Sequence, residues 1–172
     1  LFLLAAGLVQ ASHAVLYGFG TLYWTRVGHS EALIGWLWAG SVIVEIVLFA
    51  VGAPVVARYG PVRLLLFAAV GGIVRWTLFA ASTALPVLIV GQALHAATFA
   101  AAHLAAMHFI ARNAPPGLSA TTQGVYAALS GIIMGLAMLA SGTLYASLGG
   151  SAFLAMVAMC AASACVSLLL WT

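Results

Sequence analysis

The sequence predicts an all-α membrane protein of six transmembrane helices, and three observations predict it. The chain is 66% hydrophobic and only 4% charged, where soluble domains carry about 25% charged residues. Its 172 residues hold two carboxylates (Glu31, Glu45), five arginines, no lysine and no aspartate. The few charges and turn residues also divide it into apolar stretches long enough to span a bilayer. Seven charges cannot keep the surface of a soluble fold of this length hydrated.

The six apolar segments run at about 1–25, 33–57, 62–82, 86–111, 119–147 and 151–171. Each crosses a ~30 Å hydrocarbon core at 1.5 Å per residue. The connections "RVGHSE", "RYGP", "STALP", "RNAPPGLS" and "LGG" are short and built from turn residues. Arg58, Arg63 and Arg112 lie on one side, against Arg26, offset by Glu31, on the other. That bias places the 58–63 and 112–118 loops, and both ends of the segment, in the cytoplasm. The net charge of +3 speaks to orientation and gives no reason to expect nucleic acid. The first segment is too long for a signal peptide and lacks a basic flank. A chain that opens inside a hydrophobic helix and stops at "LLLWT" is expected to be a piece of a larger membrane protein. Short loops leave no room for a soluble catalytic domain, so whatever the chain does happens inside the bilayer.

Ionisable groups inside the membrane are then the informative residues, since each costs roughly 2.5–3.5 kcal/mol at a helix centre on insertion scales. Glu45, Arg75 and His13 each lie twelve or thirteen residues from an end of their segment, so all three fall near one depth. Glu45 and Arg75 read either as a buried ion pair that pins two helices, or as a proton-taking acid beside an anion-holding cation. Cys160 and Cys165, about 140° apart on a helix, read as small buried hydrophobes rather than a metal or redox pair.

Polar side chains are also arranged in stripes. Gln10, His13, Tyr17, Thr21 and Trp24 follow i, i+3, i+7, i+11, i+14 spacing along one face. Gln92, His95, Phe99 and His103 span about 80° of segment four, opposite an Ala-rich face. His95 and His103 are a poor metal pair, two turns apart with no carboxylate on their helix. Gln123, Tyr126, Ser130, Met134 and Ser141 run down one side of segment five. Such stripes face either a water-accessible cavity or a neighbouring helix to which they hydrogen-bond. Polarity is concentrated in the order striped, partly polar, plain, and that order repeats after three segments.

This order resembles the major facilitator superfamily, in which each six-helix half is a pair of inverted three-helix repeats. The loop "APVVARYGPVR" is similar to the family's cytoplasmic signature, keeping Arg58, Gly60 and Arg63, with Ala57 where the signature carries an acid. The stretches "QASHAVLYGFGTLYW", "GIVRW", "TALPVLIVGQALHAATFAAAHLAAM" and "VYAALS" resemble helices seven to twelve of the 3-phenylpropionate permease-like branch, related to the lactose permease group. The resemblance covers essentially the whole chain. It implies residues 1–172 as the C-terminal bundle of a proton symporter of the bacterial inner membrane, working by alternating access with a missing N-terminal six-helix half. It further implies proton coupling at Glu45 and His95, and a substrate site at Arg75, Gln10, His13, Tyr17, Gln92 and Tyr126 on a common face. The acid that the lactose permease group carries on helix ten is absent.

An aromatic lining of Tyr17, Trp24, Trp76 and Tyr126 with Arg75 suits a small aromatic carboxylate, because rings stack and guanidinium grips carboxylate. The expected partners are therefore that solute, protons, the lipid bilayer and the missing half, with no cofactor, metal or nucleic acid. A proton symporter of a neutral sugar or nucleoside is the alternative within the class. Outside it stand a non-transporting membrane sensor and an intramembrane protease. The protease needs a Gly-x-Ser-Gly serine, and "AALSG" and "LASG" both lack the first Gly.

Overall fold

The computed structural model describes residues 1–171, and among these every regular element is helical. The elements are α1 (Phe2–Ala11), α2 (Ala14–Arg26), α3 (Glu31–Ala81), α4 (Leu85–Ala93), a π-helical turn Ala96–Ala100, and α5 (Ala101–Asn113). After these come α6 (Ser119–Leu148), a 3-10 turn Gly149–Ala152 and α7 (Phe153–Leu169). Four helical stretches are long and apolar enough to cross a bilayer: Phe2–Arg26, Glu31–Ala81, Leu85–Asn113 and Ser119–Leu169.

Two of these stretches are 51 residues long, about 76 Å if straight and more than twice the hydrocarbon thickness. Neither is straight. In α3, Gly60 takes φ 77° and ψ 165°, a conformation essentially closed to residues with a Cβ, and Pro61 restarts the helix with its fixed φ. Glu45 and Arg75, about 45 Å apart along an unbroken helix, both contact the His95 ring, so the chain reverses at Gly60. Gly149 plays the same part between α6 and α7, at φ 55° and ψ −129°. A Cβ at Gly7 would stand 3.4 Å from Ser130 Oγ, while Ser163 Oγ donates to the Ala5 carbonyl at 2.9 Å. Residues 33 positions apart thus meet the same turn of α1.

The other ends follow from local chemistry. Ser30 caps α3, its hydroxyl accepting from the Leu33 amide at 3.3 Å. Pro115 and Pro116 follow Ala114, which leaves α5 in an extended conformation. Arg58 lies over the Tyr59 ring at 5.5 Å and Arg63 over Trp171 at 5.0 Å. Arg58 and Arg63 therefore flank the reversal at Gly60.

Two packed clusters hold the helices together. One is rich in alanine (Ala5, Ala6, Ala68, Ala69, Ala101, Ala105), and small side chains let these backbones approach closely. The other is aromatic: Trp76 stacks on Phe153 at 6.0 Å, and Phe79 meets Trp24 edge-on at 5.7 Å. Ile73 touches both clusters. Two residues on stands Arg75.

Candidate functional site around Arg75

Two interruptions of helix geometry meet at Arg75. The first lies between α1 and α2, where Ser12 Oγ donates to the Val9 carbonyl at 2.6 Å and His13 Nδ1 to the Gln10 carbonyl at 3.0 Å. Side chains that bond backbone oxygens this way compete with the helix ladder. The second is the π turn after His95, a local irregularity that re-aims the side chains around it. The breaks bring His13, His95 and Thr98 to one point.

At that point Arg75 is completely buried. Its Nη1 lies 3.1 Å from His13 Nε2, 3.0 Å from His95 Nδ1 and 2.9 Å from Thr98 Oγ1. Its Nη2 donates to Gln92 Oε1 at 2.8 Å. The guanidinium sits over the Trp76 ring at 4.6 Å, a favourable face for a cation. Gln92 in turn donates to the Leu37 carbonyl at 3.2 Å, and Trp76 Nε1 to Ser12 Oγ at 3.0 Å. Arg75 Nε has no partner. No carboxylate bonds the guanidinium among the described residues.

Because guanidinium only donates, the bonds assign both imidazoles. His13 gives its Nδ1 hydrogen to a carbonyl, leaving Nε2 as the acceptor for Arg75. His95 accepts from Arg75 at Nδ1, so its hydrogen is on Nε2, 3.2 Å from Glu45 Oε2. Of the two readings of Glu45 and Arg75, the direct ion pair is not formed: the His95 imidazole stands between them. Glu45 sits at the edge, its side chain 19% exposed.

Beside this knot is a groove of about 460 Å³ between α1, α5 and α6. Gln10, Phe99, His103, Gln123, Tyr126 and Ser130 line it together with methionine and alanine side chains. Phe99 forms the wall toward Arg75, stacked on His95 at 5.1 Å and edge-on to His13 at 5.8 Å. Gln10 donates to the Phe99 carbonyl at 3.2 Å.

The sequence-predicted residues thus separate into two places. His13, Gln92, His95 and Arg75 form the buried knot with Glu45 at its rim, and Gln10 and Tyr126 line the groove. Tyr17 is 41% exposed, between His13 and Trp38. Two aromatic residues expected to line a cavity do not: Trp24 and Trp76 are fully buried, because their rings complete the cluster with Phe79 and Phe153. The outer stripe is a seam, with Thr21 accepting from Trp38 Nε1 at 3.0 Å. Thr98 and Ser12 were missing from the expected site. The signal for Thr98 was its position three residues after His95, one helical turn away.

The profile of the MFS_1 like family matches residues 1–156. The chain belongs to that family, within the major facilitator superfamily. It is 39% identical over 161 residues to the "Probable 3-phenylpropionic acid transporter" of Escherichia coli (strain K12), a match covering 92% of this chain. The matched region spans 42% of that relative's length. No solved structure matches. Family membership and the apolar helices make the chain part of a multi-pass membrane protein.

Proposed function

We propose that the chain is the C-terminal half of a secondary transporter that takes up a small aromatic carboxylate with protons by alternating access. The reading takes the two doubled-back stretches as two crossings each, for six in all, arranged as two inverted triplets. It places the arginine-rich 58–63 turn on the cytoplasmic side of a bacterial inner membrane. An N-terminal six-helix half contributes the opposite wall of the site. The protein is a transporter and not an enzyme.

The observation that carries this reading is Arg75, a permanent cation buried without a carboxylate partner among the described residues and with its Nε unpartnered. A buried cation in that condition favours an incoming anion, which a guanidinium holds in bidentate geometry. The relative's name supplies the aromatic acid, and the rings of Phe99 and Tyr126 supply a surface for it. Glu45 carries the proton. His95, bonded to Arg75 at one nitrogen and to Glu45 at the other, transmits the change of charge to the guanidinium. When Glu45 is protonated, Arg75 loses the anion relayed through His95 and takes the substrate carboxylate.

The test is uptake of radiolabelled 3-phenylpropionate into proteoliposomes holding the intact transporter under an inward proton gradient. Accumulation that a protonophore abolishes is the expected result. Uptake indifferent to the gradient removes proton coupling, and no uptake of any aromatic acid removes the substrate class.

A further inference from the structure

The groove carries two hydroxyls that the Arg75 chemistry does not use. Tyr126 is 5% exposed, and its phenol oxygen is buried without a hydrogen-bond partner. Ser130, one turn further along α6, presents an equally unpartnered Oγ. Gln10 and Ser130 neighbour the phenol, but neither is in bonding geometry with it. Buried hydroxyls left unpaired are unfavourable, and two of them lining one groove point to a polar atom brought in from outside. Around them Phe99, Met107, Ala127 and Met134 offer the apolar surface that accepts a ring.

The level of Ser130 relative to Arg75 can be read along α1. Ser130 lies against Gly7, and His13, which accepts from Arg75, is six residues further on, a rise of about 9 Å. That is about the reach from a ring hydroxyl to the carboxylate of an arylpropionate when the hydroxyl is at the far end of the ring. A carboxylate drawn toward Arg75, which lies behind Phe99 and outside the groove's lining, would leave the ring in the groove with its distal hydroxyl at the level of Ser130 and near Tyr126.

We infer that Tyr126 and Ser130 form a subsite for a ring hydroxyl, so that the preferred substrates are aromatic acids hydroxylated at the far end of the ring. This deepens the transport reading and rests on it. A hydroxyl on the ring carbon next to the side chain stays close to the carboxylate end and gains nothing from the pair. A site built to bond a substrate hydroxyl discriminates strongly against the analogue that lacks it.

The experiment uses the intact transporter in proteoliposomes and compares uptake of 3-phenylpropionate with its 4-hydroxy and 2-hydroxy derivatives. In the wild type, the 4-hydroxy acid is expected to half-saturate uptake at about one-tenth the concentration of the unsubstituted acid. The 2-hydroxy acid is expected to match the unsubstituted one. Tyr126→Phe and Ser130→Ala should each bring the 4-hydroxy preference down to about threefold or less. The readout is a ratio within one preparation, so a change in folded yield does not move it. Equal half-saturation by all three acids in the wild type, or a preference that survives both substitutions, overturns the subsite and leaves transport standing. Uptake of none of the acids overturns both readings.

Discussion

Arg75 and His95 are joined Nη1 to Nδ1 at 3.0 Å, and that one bond dictates where the imidazole keeps its hydrogen. The hydrogen is left on Nε2, facing Glu45 at 3.2 Å. A change of protonation at the carboxylate is therefore felt at the guanidinium through one ring, with no direct contact between acid and base. The same ring stacks on Phe99, which lines the groove. The buried knot and the groove thus meet at one aromatic side chain.

Glu45→Gln tests the proton step. Glutamine keeps the shape and can still accept from His95 Nε2, but it takes no proton. Uphill accumulation of substrate is expected to vanish while exchange down a gradient persists. Accumulation against a gradient in this variant would place the coupling proton on another group.

Arg75→Lys tests the anion. A single ammonium cannot reproduce the fork that serves His13, His95, Thr98 and Gln92 together. Each of those groups left unpaired in the interior costs about 1–3 kcal/mol. Affinity for the aromatic acid should fall severely in Arg75→Lys and further in Arg75→Ala. Uptake competition between the acid and its uncharged amide in all three proteins checks this. Equal competition by the two in the wild type would make Arg75 structural only.

Much of this was legible in the residue order. The common depth of His13, Glu45 and Arg75 followed from counting residues inward at 1.5 Å each, and all three meet around His95 and Arg75. The reversal at "RYGP" was marked by glycine, proline and flanking arginines. Gln123, Tyr126, Ser130 and Met134 share the groove, as their spacing indicated, while Ser141 of the same stripe is buried outside it and donates to the Ala137 carbonyl. What was not legible came from departures from uniform helix geometry. The break at Ser12–His13 depends on side chains that bond backbone oxygens, and the π turn changes the register between His95 and Phe99. A stripe drawn at 100° per residue cannot contain either. The inward turn of Trp76 depends on Phe153, and that of Trp24 on Phe79, partners that lie far away in the chain.

Packing between the second half of α3 and α7 gives a test independent of transport. A Cβ on Gly72 would run into Cys160 Sγ, with Cys160 Cβ at 3.3 Å. Gly72→Ala is expected to destabilise the fold by about 1–3 kcal/mol through overpacking. Cys160→Ala removes the obstructing sulfur, so the double variant should lose less than the two single losses combined. Thermal unfolding of the detergent-solubilised intact protein reads this out. Strictly additive losses would show that the two helices are not in contact at this level.

The last prediction concerns residues 1–172 expressed alone. The groove lined by α1, α5 and α6 is open on one side, and alternating access requires a second bundle moving against this one around a site between them. In the transport reading, that wall comes from the N-terminal half. Its helices are long and apolar enough to insert, and its two packed clusters are internal to it, so insertion and helical content should survive. Saturable uptake should not. Membrane fractionation and circular dichroism check the first expectation, and radiolabelled uptake against the full-length protein checks the second. Saturable uptake by the segment alone would mean that it completes the site itself, most simply by pairing with a second copy. Crosslinking of two tagged copies would then reveal that pairing.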